Sequence, residues 1–166
     1  STLEASLDLK SMSESSTKVF ILEVMGRHAG WIAAAGGLAK NENTKAPHII
    51  LFPEVSFNQK NFLTKVKKSV ALDGYCVVVA SEGLKNSKGK FLTESSSTDS
   101  FGHAQLGGVA PFLSNLVTSK LKLKTHWAVP DYLQRSARHL SSKTDLLQAQ
   151  AVGAKAFEYA IKGMNS

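Results

Sequence analysis

The sequence predicts an α/β fold, a three-layer arrangement in which a mostly parallel sheet carries helices on both faces. Three observations predict it. Four short apolar runs recur along 166 residues, longer segments with helical spacing lie between them, and glycine or proline closes the runs. The runs are Lys18–Val24, His48–Phe52, Tyr75–Ala80 and Thr125–Val129. Continuous, mostly β-branched runs of this kind fit strands buried on both faces. Gly30–Lys40 is the first helical segment. Asn58–Leu72 is the second, with Phe62, Val66 and Val70 on one stripe and lysines opposite. Val109–Leu121 and Thr144–Lys162 follow, and Ser1-Thr2-Leu3 reads as the middle of a helix. Ser or Thr before several of these segments suits an N-cap. Strand–helix alternation argues for a parallel sheet, and ligands of such sheets bind at the carboxyl ends of the strands. The segment Leu84–Gly108, rich in Ser, Gly, Lys and Thr, is long for a connection and reads as a functional loop or lid.

Composition narrows the classes. The length suits one domain, 1–166, with a real core. No stretch nears the roughly 18 apolar residues of a membrane span, and no leader pattern opens the sequence, so a membrane partner is not expected. Cys76 is the only cysteine, which fits a reducing, cytoplasmic location, and its setting in CVVVA makes it a core residue. The net charge is +7, but only three of the 20 basic residues are arginine: Arg27, Arg135 and Arg138. Lysines fall singly along helices, with no basic–aromatic stripe, so nucleic acid is not expected. Arginines at strand exits suit a small phosphorylated ligand instead. The histidines show no metal-ligand spacing, so no protein metal site is expected. Trp31 and Trp127 read as packing residues, and Pro53-Glu54 as a structural turn.

Phe20 to Ala34, FILEVMGRHAGWIAA, carries the most information. An apolar run stops at Met25-Gly26-Arg27 and an Ala-rich helical segment begins. A strand that turns through glycine into a helix start can hold an anion, and Arg27 would add a planar phosphate fork. The same pattern is compatible with an ordinary turn and a surface arginine.

EVMGRHAGWIA resembles the fructose 6-phosphate-binding segment of the phosphofructokinases. Phe52-Pro53-Glu54, Ser81-Glu82-Gly83-Leu84 and Tyr132-Leu133-Gln134-Arg135-Ser136 continue the resemblance in order over nearly the whole chain. It is strongest to the branch associated with pyrophosphate as phosphoryl donor, where MGRHAGWIAAAGGLA, FGHAQLGG and YLQR occur together. The resemblance implies that Met25 and Gly26 line the sugar and that Arg27 stabilises charge near the transferred phosphoryl group. It implies that Glu82 holds fructose hydroxyls and that Tyr132 and Arg135 hold the 6-phosphate. Tyr132 stands where many relatives have histidine in G-H-x-Q-R-G-G, and the glycine pair of that motif is missing. Gly102-His103-Ala104-Gln105-Leu106-Gly107-Gly108 is a weaker match to the same motif, with Leu106 in place of arginine. Asp145 follows Arg135 at the spacing of the acid that opens the family's next helix. Lys18 is placed like a basic residue that reaches a neighbouring subunit's phosphate, and Arg138 and His139 are candidates of the same kind.

The family's donor-binding GGD-type glycines and its TIDND-like catalytic aspartate motif do not occur in this sequence. The resemblance therefore implies the fructose 6-phosphate-binding half of a homo-oligomeric 6-phosphofructokinase, with the donor-binding half elsewhere and the isolated segment inactive. Mg2+ would be held mainly outside this chain, and the donor would be pyrophosphate rather than ATP. The alternative reading is a non-catalytic α/β module that binds a phosphorylated metabolite.

Overall fold

The computed structural model describes residues 1–14, 16–98, 104–106 and 108–164. They divide into two compact units, Ser1–Asp131 and Tyr132–Ser166, where the sequence reading has one domain. In chain order the first unit holds α1 (Thr2–Met12), β1 (Val19–Val24), α2 (Trp31–Ala35) continued by a 3₁₀ stretch (Gly36–Ala39), and β2 (Ile49–Leu51). It continues with α3 (Gln59–Asp73), β3 (Cys76–Ser81), β4 (Glu94–Thr98), β5 (Ala104–Leu106), α4 (Val109–Leu121) and β6 (Thr125–Ala128). The second unit holds α5 (Tyr132–Ser136), a 3₁₀ turn (Arg138–Leu140) and α6 (Lys143–Ile161).

The sheet runs β2-β3-β1-β6, all parallel, as the uninterrupted apolar runs predict. Alternation along the strands divides the core. Val19, Ile21, Cys76, Val78 and Ala80 face α3 and α4, meeting Phe62, Val66, Leu113 and Val117. Leu22, Val24 and Val79 face the other way and meet Ala33 of α2, while Tyr75 and Val77 meet Leu9 of α1. Both faces are thus closed, the condition for a parallel sheet. Cys76 is fully buried, and desolvation pushes its thiol up to about 12.

Three expectations are corrected. The helix expected over Gly30–Lys40 is only five residues long before it tightens at the glycine pair into 3₁₀. The irregular segment contains an antiparallel pair, β4–β5, whose ESSST and AQL sequences lack apolar alternation. Trp31 and Trp127 do not pack in this core: they are 83% and 47% exposed. Trp31 lies two residues before Ala33, which faces the sheet, so helical spacing turns it away. Trp127 sits on β6, an outer strand of the sheet.

At the amino edge of the sheet, His48 extends the β2–β3 ladder with its side chain. Its N–H donates to Val77 O, and its Nδ1 accepts the Val77 N–H at 3.0 Å. That bond requires a neutral ring with its proton on Nε2, which lies 3.6 Å from Asp73 Oδ2. Burial lowers the His48 pKa; Asp73 opposes the shift, and Lys45 and Lys40 add to it. A base whose folded pKa lies below its unfolded value of 6.5 destabilises the fold as pH falls through that window, because the unfolded chain takes the proton first. Wild type is therefore expected to lose stability relative to His48→Gln as pH drops below about 6.5, since glutamine offers an acceptor that does not titrate. Chemical denaturation of both proteins from pH 7.5 to 5 measures the difference; parallel stability curves would contradict it.

Candidate functional site

The parallel register sets Val24 opposite Ser81, so β1 and β3 leave the sheet side by side. Met25-Gly26-Arg27 emerges beside Ser81-Glu82-Gly83. Two turns that are far apart in sequence become one structure through side-chain bonds to the main chain. Glu82 N–H donates to Val24 O at 2.9 Å, and Gly26 N–H donates to Glu82 Oε1 at 3.0 Å. Ser81 Oγ, fully buried, donates to Gly26 O at 2.5 Å and accepts from Gly83 N–H at 3.1 Å.

Both glycines are demanded by this geometry. Gly26 has φ +136°, and a Cβ there would lie 2.6 Å from Ala29 O. Gly83 lies on the Arg27 main chain so closely that a Cβ would fall 2.0 Å from Arg27 O. Arg27 is thus half-buried on a backbone that is held from beneath.

Beyond Arg27 the chain enters α2 through Gly30. The sequence suggests a helix start open to an anion. Instead, Gly30 N–H donates to Glu54 Oε1 at 2.7 Å. The acid of Phe52-Pro53-Glu54 occupies this amide, in keeping with the structural role expected of that turn.

Glu23 is a buried acid the sequence reading passes over. It is 2% exposed, on the α4 side of β1, and its Oε2 accepts the Ala110 N–H at 2.8 Å. Desolvation raises its pKa, and Coulomb repulsion from Glu82 adds to the rise; hydrogen bonds from Ala110, Gly108 and Val109 oppose it. Gly108, the residue before α4, is left-handed and makes no side-chain cap bond. The cap that sequence rules seek locally comes from 87 residues away. Asn58 and Ser142 do cap α3 and α6 locally, accepting from Asn61 and Asp145 N–H.

The remaining candidates stand on other elements. Lys18 stands at the amino end of β1, the edge opposite the Gly26 turn, with its ammonium donated to Ser13 O. Tyr132 and Arg135 belong to the second unit. There they lie on the short helix α5, with the Arg135 guanidinium over the Tyr132 ring, 4.4 Å from its centroid. A cation over a ring face in this way makes a cation–π contact. Both are exposed, as are Arg138 and His139 on the following 3₁₀ turn. Gly102, His103 and Gly107 lie outside the described residues. Among the described residues, no group of three or more His, Cys, Asp and Glu could hold a metal ion, and no helix is long and apolar enough to cross a membrane.

The phosphofructokinase family model matches residues 1–160. The chain belongs to the phosphofructokinase family. It is 60% identical over 167 aligned positions to pyrophosphate–fructose 6-phosphate 1-phosphotransferase of Xanthomonas campestris, and 58% identical to the enzyme of that name from Halomonas elongata. All of this chain aligns, to 40% of each relative's length. An ATP-dependent 6-phosphofructokinase of a Nostoc species is 31% identical over 143 residues. Among solved structures, the pyrophosphate-dependent phosphofructokinase of Marinobacter aquaeolei superposes with TM-score 0.79 at 55% identity, covering 99% of this chain and 37% of that one. A phosphofructokinase of Saccharomyces cerevisiae, 21% identical with TM-score 0.56, shares the fold.

The Gly83 contact gives a direct check on this family turn. Gly83→Ala is expected to destabilise the protein by about 1–3 kcal/mol or more, because the added Cβ meets the Arg27 backbone and no rotamer can relieve the clash. Thermal unfolding of the variant beside Gly89→Ala, where a Cβ would meet nothing within 4 Å, controls for loss of glycine alone. Gly89 has φ +76°, so some strain is expected there too, and only the excess at Gly83 reports the clash.

Proposed function

We propose that this chain is the fructose 6-phosphate-binding part of a 6-phosphofructokinase that takes its phosphoryl group from pyrophosphate. The observation that carries the proposal is the Gly26 turn. It carries Arg27 and Glu82 on one hydrogen-bonded scaffold, a cation and an acceptor of the kinds that a phosphorylated sugar requires. The names of the relatives at 58–60% identity support pyrophosphate over ATP.

In this reading one oxygen of Glu82 holds the Gly26 amide and the other accepts from a sugar hydroxyl. The Met25-Gly26 main chain lines the ring. Arg135, steadied by Tyr132, binds the 6-phosphate through paired N–H groups. The sugar's 1-hydroxyl oxygen bonds to a pyrophosphate phosphorus as the bridging P–O bond breaks, leaving phosphate. Arg27 stabilises the charge spread over the transferred group. The hydroxyl proton leaves to a base of the family's TIDND-like motif, outside this chain. Lys18, at the opposite edge of its own sheet, would by family resemblance meet the phosphate held by a second copy. Mg2+ would be held on the donor side, mainly outside this chain.

Arg27→Ala in the complete polypeptide is expected to lower kcat about 100-fold with a smaller change in KM, as for losing one transition-state donor. Arg135→Ala is expected to weaken fructose 6-phosphate by about 1.5–3 kcal/mol, the range for hydrogen bonds to charged groups. Glu82→Gln is expected to weaken the sugar phosphate while leaving inorganic phosphate nearly unchanged. Steady-state kinetics with each donor and calorimetry with each ligand separate these effects. Equal losses for both ligands in Glu82→Gln, or wild-type affinity in Arg135→Ala, would contradict the assignments. A phosphate-binding module without turnover in the complete polypeptide would favour the non-catalytic alternative.

A further inference from the structure

The five-residue turn Gly26-Arg27-His28-Ala29-Gly30 is held at both ends by carboxylates from different strand exits. Glu82, after β3, takes the Gly26 N–H at 3.0 Å, and Glu54, after β2, takes the Gly30 N–H at 2.7 Å. Packing reinforces both ends. Gly83 lies on the Arg27 main chain, and the Phe52-Pro53-Glu54 segment lies on Gly30, where a Cβ would fall 2.6 Å from Phe52 Cδ1 and 2.9 Å from Glu54 Oε2. Arg27 sits between the two clamps, with His28 and Ala29 exposed beyond it.

We infer that Glu54 is a positioning residue for Arg27: its carboxylate fixes the far end of the turn and so sets where the guanidinium stands. The β3 exit anchors the main chain of Gly26 and Arg27; without a further bond, the segment from His28 to Gly30 beyond it keeps its own backbone freedom. The second anchor removes that freedom. A displacement of about 1 Å in a group that orients or stabilises a reacting centre can cost on the order of 100-fold in rate. Glu54 itself is exposed and meets the turn at the Gly30 amide, so its effect on rate runs through Arg27.

The inference rests on the proposed role of Arg27, and the experiment separates the two. In the complete polypeptide, Glu54→Ala is expected to lower kcat about 10-fold with KM changed less, and Glu54→Gln, which keeps a carbonyl acceptor, to recover most of that loss. In an Arg27→Ala background, Glu54→Ala is expected to cost nothing further, since the group it places is gone. Hydrogen exchange in peptides spanning Gly30 is expected to quicken in Glu54→Ala and return toward wild type in Glu54→Gln. A wild-type kcat in Glu54→Ala, or a loss of equal size with and without Arg27, overturns the inference alone. A wild-type kcat in Arg27→Ala overturns the role of Arg27 and this inference with it. A Glu54→Ala loss that tracks a lowered unfolding temperature and is not recovered by glutamine assigns Glu54 to folding and also overturns it.

Discussion

The main-chain N–H and C=O of Gly26 are both taken by side chains from the exit of β3, and the candidate site depends on that double bond. Backbone groups at a strand end have left the sheet ladder and need new partners. Glu82 and Ser81 supply them, so the turn that carries Arg27 is bonded to a neighbouring strand rather than to itself. The bonds are possible because β1 and β3 are parallel and in register, with Val24 opposite Ser81. Parallel pairing brings equivalent ends together. An antiparallel pair would have put the two turns at opposite edges of the sheet.

Three carboxylates stand at or near the strand exits around this turn. Each is answered by main-chain N–H groups: Glu82 by Gly26, Glu54 by Gly30 and Glu23 by Ala110. Glu23 is the extreme case. It is desolvated inside the sheet–helix layer and set at the start of α4, where the helix dipole and free amides favour negative charge. Burial still wins, and its pKa is raised. Acids placed in this way order the backbone, and the main-chain N–H groups offset their charge locally.

Much of the architecture was legible in the sequence because parallel sheets write themselves as uninterrupted apolar runs. The four strands of the parallel sheet match the stretches expected to within one residue at each end, β3 running one residue past its stretch to Ser81. α3 and α4 follow their apolar stripes. The short α2 was over-read, because Ala-rich sequence favours a helix while Gly36-Gly37 lets it tighten where it meets Val79. β4 and β5 were invisible, since serine-rich strands carry no period-2 apolar signal. Glu23 had a signal, a lone acid inside FILEVM, but nothing near it in sequence names Ala110 as its partner.

By itself the sequence determined the layer order, the core strands and the family, since periodicity and motif order are local properties of the chain. It also marked Gly26, Arg27, Glu82 and Arg135 as residues of interest through motif resemblance. Only the tertiary structure decided what those residues touch. Glu82 and Glu54 reach amides 56 and 24 residues away, and Glu23 reaches one 87 residues away. The reason is physical: a hydrogen bond depends on separations of about 3 Å in space, whatever the distance along the chain. Which acid caps which amide is therefore settled by strand register and helix placement, after the local pattern has chosen the fold.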